Sequence, residues 1–203
     1  MERYPQLAVC KEDIKKAYEL LESAYTQGKK LLVCGNGGSA SDSEHIVGEL
    51  MKEFKLKRKV YGQQAAALKA IDPELGQVLA DNLQGALPAI SLTAHSSLQT
   101  AFMNDVVPEL VFAQQVNGYG NEGDVFLGIS TSGNSMNVLY AAVNAKAKGL
   151  KVIGLTGGNE NKLMKYTDVC IQVPETETYK VQELHLPVYH FLCLMLEERF
   201  FGV

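Results

Sequence analysis

A doubly wound α/β fold on a parallel sheet is the class that this sequence predicts, and three observations predict it. Five short apolar runs, Lys30–Cys34, Ala89–Thr93, Asp124–Ser130, Lys151–Thr156 and Asp168–Val173, are nearly continuous rather than alternating. That is the pattern of strands buried on both faces of a parallel sheet. Segments with helical patterning lie between them, so strand and helix alternate. Three of the runs then end abruptly in small and hydroxyl residues: Gly35-Asn-Gly-Gly-Ser39, Thr131-Ser-Gly-Asn-Ser135 and Thr156-Gly-Gly158. In such a sheet those turns share one rim, beyond the carboxyl ends of the strands, where ligands bind.

Taken in order, a helix over roughly Lys11–Gln27 precedes the first strand, and Ser39–Phe54 follows it as a polar, helix-like segment. Ser135–Gly149 follows the third strand and ends on a glycine suited to a helix C-cap. A last helix covers roughly Tyr179–Phe201, with Pro187 inside it predicting a kink or a late restart. Residues 55–87 separate the first two strands by more than a crossover needs. They read as an insertion in an otherwise single domain spanning residues 1–203. Within the insertion, Asp72 at an N-cap and Pro73 at the first helical position start a short helix.

The 203 residues are 46% hydrophobic and carry a formal net charge of −4. That length supports one domain with a full core. The mild acidity argues against nucleic acid or an anionic membrane as the main partner. The basic run Lys55–Lys59 reads as a solvated helix end or loop. The four cysteines, Cys10, Cys34, Cys170 and Cys193, are scattered. The last three sit in apolar runs and read as small buried hydrophobes, without a disulfide framework. No signal peptide or membrane-length apolar stretch stands out, so a soluble, cytoplasmic protein is expected.

Chemistry concentrates at the turns and on two helices. Ser130-Thr-Ser-Gly-Asn-Ser135 follows a strand and opens a helix, so hydroxyls and free N–H groups converge where the helix dipole favours negative charge. No Gly-Lys-Ser/Thr follows, so a phosphate monoester on a small molecule suits it better than a nucleoside triphosphate. A hydroxyl-rich turn with an N-cap explains the same residues more plainly. Gly35–Ser39 is a second such turn, able to present Asn36 to a polyol or phosphate, or simply to cap a helix. His45 and Glu49 are four residues apart and share a helix face, which suits a metal pair, an acid/base pair or a surface contact. Gln182 and His190 are eight apart on the last helix, and His185 can face the same way. His95 has no such company and reads as a loop residue. Asn104-Asp105 closes a helical stretch, either as caps or as contacts for substrate hydroxyls.

At these residues the sequence resembles the SIS (sugar isomerase) domain family, within it the phosphoheptose isomerases. The matching stretches are Gly35–Ala40, His45-x-x-x-Glu49, Asn104-Asp105, Gly128–Ser135, Gly154–Gly157 and Val181-Gln-Glu-x-His185 with His190. They span roughly residues 30–200 in order. The resemblance implies a three-layer αβα sandwich with a five-stranded parallel sheet and extra N- and C-terminal helices. It implies a homotetramer with active sites where subunits meet, and conversion of sedoheptulose 7-phosphate into D-glycero-D-manno-heptose 7-phosphate. By position, Ser130, Thr131, Ser132 and Ser135 match the phosphate site. Asn36, Gly37, Gly38, Ser39, Glu49, Asn104, Asp105 and Gln182 match substrate contacts. His45, Glu49, Gln182 and His190 match a zinc site, and Glu49 and His190 also match the acid/base pair. Two departures stand out. An arginine common shortly after the glutamate is replaced at about Glu53, with Lys52 and Lys55 nearby, and residues 55–87 are longer than usual. A sugar-phosphate sensor that lacks catalysis, and an isomerase for another sugar phosphate, are the rival readings. The intact set His45, Glu49, Gln182 and His190 favours an enzyme.

Overall fold

The computed structural model describes residues 3–202. Five strands, β1 (Leu31–Cys34), β2 (Ala89–Ser91), β3 (Val125–Ile129), β4 (Lys151–Thr156) and β5 (Val169–Gln172), form one sheet in the order β2-β1-β3-β4-β5. All pairings are parallel; Leu31 stands beside Ala89 on one side and Val125 on the other. Each strand lies within the run that predicts it. The chain leaves β1 for the left edge and returns on its other side as β3, so the topology reverses between β1 and β3. A crevice opens at the carboxyl ends of those two strands.

Around the sheet lie α1 (Lys11–Thr26), α2 (Gly38–Met51), α3 (Gly62–Ile71), α4 (Pro73–Asn82), α5 (Ser96–Asp105), α6 (Val111–Tyr119), α7 (Met136–Ala147) and α8 (Thr178–Phe201). Successive strand residues point to opposite faces, and the core divides accordingly. Leu31, Val33, Leu127 and Ile153 pack with Leu21 of α1, Ile46 and Leu50 of α2, and Val188 and Leu192 of α8. Leu32, Cys34, Phe126 and Val152 pack with Val116 of α6 and Val138 and Ala142 of α7. The sandwich therefore has three layers. At the amino end of the sheet, buried Asp124 accepts the backbone N–H groups of Lys30 and Asn121 and pairs with the Lys30 ammonium.

Three local expectations change. Pro187 does not restart α8, which is one helix of 24 residues. The Glu183 carbonyl that Pro187 cannot bond lies at an exposed residue, where water can satisfy it. The basic run is not wholly solvated: Lys55, Lys57 and Lys59 are exposed, but Arg58 is 2% exposed. Cys10 is buried and Cys170 only partly so, and all four thiols are free.

Residues 62–82 form a helical hairpin. Asp72 caps α4 as expected, accepting the N–H groups of Glu74 and Leu75. The two helices meet at Gly76, where a Cβ would run into the Leu68 carbonyl. A single antiparallel bridge between Lys59 and Gln84 closes its base.

Candidate active site

The two turns at the β1/β3 crevice face each other. Gly37 adopts φ 55°, a conformation open to glycine, and lets α2 begin immediately after β1. Gly133 does the same at φ 62° before α7, which Ser135 precedes. Both helix N-termini thus point into the crevice with free N–H groups. A cavity of 310 Å³ lies between them, lined by Asn36, Gly38, Ser130, Thr131, Ser135 and Gln182 among others. The Ser130 and Ser135 hydroxyls are 3.0 Å apart. Asn36 and Asn137 exchange amide hydrogen bonds of 2.9 Å in both directions, tying one turn to the other. Gln182 enters from α8 and rests on Gly38 so closely that a Cβ there would come within 2.5 Å of its Nε2. Gly37 and Ser39 also line this cavity. Ser132 is exposed, and its hydroxyl turns back to accept the Asn134 N–H.

Further along α2 a second cluster forms. Seven residues separate Gly38 from His45, about 10 Å of helix. His45 Nε2 is 3.0 Å from Glu49 Oε1, and His45 Nδ1 is 3.0 Å from the Tyr189 hydroxyl. Tyr189, 2% exposed, donates to Asp42 Oδ1 at 3.2 Å. Burial pushes the Asp42 carboxyl up, while the Tyr189 hydroxyl and His45 hold it down. A hydroxyl has one proton. With that proton on Asp42, Tyr189 accepts from His45, so this network assigns a proton to Nδ1. Nε2 then aims a lone pair at a carboxylate oxygen, a contact that needs a proton or cation between the two atoms. The His190 ring stands edge-on to His45 with centroids 5.0 Å apart. Burial and the neighbouring His45 lower the His190 pKa, against the opposing pull of Glu49. Glu49 Oε2 and His190 Nε2 are both buried without a hydrogen-bond partner.

Three of the four side chains implied for zinc therefore gather here, and Gln182 does not. It faces the phosphate-like cavity, eight residues from His190 and about 12 Å along α8. Two imidazoles and a carboxylate with orphaned donor atoms are chemistry that zinc takes. Among the described residues, however, no three His, Cys, Asp or Glu side chains stand close enough to hold a metal. His185 does not face this way. It is fully buried, and burial lowers its pKa to about 4 despite the Thr156 backbone beside it. Asn104 and Asp105 end α5, where the Asn104 amide donates to the Asp105 carboxylate; neither lines the cavity. His95 sits in the loop just before α5.

The SIS domain family matches residues 6–78 and 61–157. A phosphoheptose isomerase of Clostridium acetobutylicum is 40% identical over 193 residues, 94% of this chain and 84% of the relative. The chain belongs to the phosphoheptose isomerase family of SIS domains. Two solved phosphoheptose isomerases share its fold at 30% identity. The Francisella tularensis structure has a TM-score of 0.79 over 97% of this chain and 91% of its own. That from Neisseria gonorrhoeae has 0.71, over 97% and 96%.

Sequence reasoning missed three partners of the SIS site. Asp42 carries a usable signal, lying three residues before His45 and so on the same helix face. Tyr189 reads as one more apolar position of α8. Asn137 follows the hydroxyl turn but looks like an ordinary first-turn residue.

Proposed function

We propose that this chain is an aldose–ketose isomerase that interconverts sedoheptulose 7-phosphate and D-glycero-D-manno-heptose 7-phosphate. The observation that carries the chemistry is the pair of buried atoms Glu49 Oε2 and His190 Nε2, neither with a hydrogen-bond partner, around the His45 ring. The reaction moves a proton between C1 and C2 through an enediol, and needs a base at carbon and an acid at oxygen. Glu49 takes the C1 proton of the ketose and returns it at C2. His190, its pKa lowered, exchanges protons with the sugar oxygens. The cavity between the α2 and α7 N-termini holds the phosphate, through the Ser130, Thr131 and Ser135 hydroxyls and helix N–H groups.

Zinc belongs to the same proposal: His45, Glu49 and His190 would hold it once they draw closer together than they stand here, and the orphaned atoms Glu49 Oε2 and His190 Nε2 support this. The chemistry that it would supply there is polarisation of the sugar carbonyl. Gln182 completes the set of four if a second copy supplies it. This fits the homotetramer with sites at subunit contacts, since one chain turns Gln182 and His190 to different places. Asn104 and Asp105 then stand as substrate contacts contributed to such a shared site. No helix among the described residues is long and apolar enough to cross a membrane. A phosphorylated sugar as substrate supports the cytoplasm as the site of action.

The test is turnover of sedoheptulose 7-phosphate by purified, zinc-supplemented protein, with fructose 6-phosphate and ribulose 5-phosphate alongside. Preference for the heptulose is expected. Equal or better use of a shorter sugar moves the substrate assignment. Binding of all three without turnover of any replaces the isomerase with a sensor.

A further inference from the structure

Arg58 is the largest of the fully buried side chains. Its Nε donates to Glu197 Oε1 at 2.8 Å, its Nη1 to the Leu50 carbonyl at 2.8 Å and its Nη2 to the Glu49 carbonyl at 2.9 Å. The guanidinium lies over the Phe201 ring, 4.7 Å from its centroid. Glu197 is equally engaged, accepting the N–H groups of Phe54 at 2.8 Å and Lys55 at 2.9 Å. Burial alone would raise its carboxyl, but these N–H groups and Arg58 hold it below its usual value.

A helix leaves its last carbonyls without partners and favours a cation there. The last turn of α2 holds no basic residue, and the chain leaves it in extended conformation at Lys52. Arg58 supplies the missing cap from the following segment. Its carboxylate partner lies on α8, seven residues after His190, two turns along and on the same side of that helix. One ion pair therefore ties the backbone of Glu49 to the helix that carries His190. A buried ion pair contributes little net stability over an apolar substitute. What it does supply is direction, because the planar fork bonds three groups at fixed angles and an ammonium cannot.

We propose that the Arg58–Glu197 pair is a positioning element for the isomerase. It fixes the last turn of α2, and with it the Glu49 carboxylate, against the face of α8 that presents His190. Phosphate binding, at the other end of α2, does not depend on it.

Arg58→Lys keeps the charge and loses the fork, and Glu197→Gln keeps an acceptor for the loop N–H groups. Steady-state kinetics on each, counted per folded molecule by circular dichroism, separate the roles. The expected result is a kcat lowered by about 10- to 100-fold with KM for the sugar phosphate little changed. Lowered melting temperatures with wild-type kcat would reduce the pair to a structural one. A raised KM at unchanged kcat would also overturn the proposal, by placing the effect at the phosphate. The inference rests on Glu49 as the base, and Glu49→Gln run in parallel keeps the two apart. An active Glu49→Gln chain removes the base, whereas an inactive one beside a fully active Arg58→Lys removes only the clamp.

Discussion

The α2–α8 contact and the α3–α4 hairpin spend apolar residues in opposite ways. Ile46, Leu50, Val188 and Leu192 are all buried between α2, α8 and the sheet, and Arg58, Glu197 and Tyr189 in that layer are each bonded to more than one partner. In the hairpin, Ile71 is 85% exposed, Leu75 66% and Val78 60%, and only Gly76 and Ala80 of α4 are buried. The first region is over-determined. His45 is held there by Tyr189 and Glu49, and the ring of His190 packs edge-on against His45 and Tyr189. The second is held chiefly by one close backbone approach. The difference shows where this chain invests precision: in the helices that carry Glu49 and His190, not in the longest excursion from the sheet.

The contrast can be broken from either side. Glu49→Gln should lower kcat by about 10²–10⁴-fold while the sugar phosphate still binds, as read by steady-state kinetics and calorimetry. Retained turnover would take Glu49 out of the chemistry. Next in size is an acid sensitivity of the packed layer. His185 has its folded pKa lowered to about 4, so unfolding releases a group that binds a proton more readily. Its contribution is complete above pH 6.5 and is lost as pH falls towards 4, by about 3 kcal/mol. Urea unfolding at several pH values should show the loss, and His185→Gln should remove that component.

Gly76→Ala should act on the hairpin alone. Its new methyl group meets the Leu68 carbonyl and comes within 2.7 Å of the Lys69 nitrogen, an overpacking worth about 1–3 kcal/mol. Hydrogen exchange should show lost protection in α3 and α4 with β3 and β4 unchanged. Equal loss across the sheet would mean that the two regions fold as one. Tyr189→Phe leaves His45 Nδ1 and Asp42 Oδ1 short of a partner, at about 1–2 kcal/mol. Nitrogen NMR of the histidines should show the His45 proton no longer held on Nδ1. Smallest of all, Ile71→Ser should change monomer stability by less than about 0.5 kcal/mol, measured by chemical denaturation.

Legibility in the sequence follows the same division. The strands were readable because a sheet covered on both faces demands unbroken apolar runs, and the turns because glycine and hydroxyl residues have few other uses there. His45 and Glu49 were readable because a four-residue spacing fixes a shared helix face. Arg58 was not, since its neighbours Lys55, Lys57 and Lys59 are solvated and nothing local marks the one cation that turns inward. Its partner is 139 residues away. Helix α3 was missed for a different reason: its apolar residues, Ala65 to Leu68 with Ala70 and Ile71, run together instead of forming a stripe against a polar face, and none of them is buried. His185 shows the limit of periodicity, which placed it near Gln182 although the sheet takes it instead.

The contact between Gly38 and Gln182 also sets a direction. A methyl group at 38 would push the Gln182 amide out of its present seat, since the atoms that it meets are the free end of that side chain. Alanine at 38 is therefore expected to leave the backbone in place and to turn the amide elsewhere. Which way Gln182 points is thus set by the absence of a side chain on another helix.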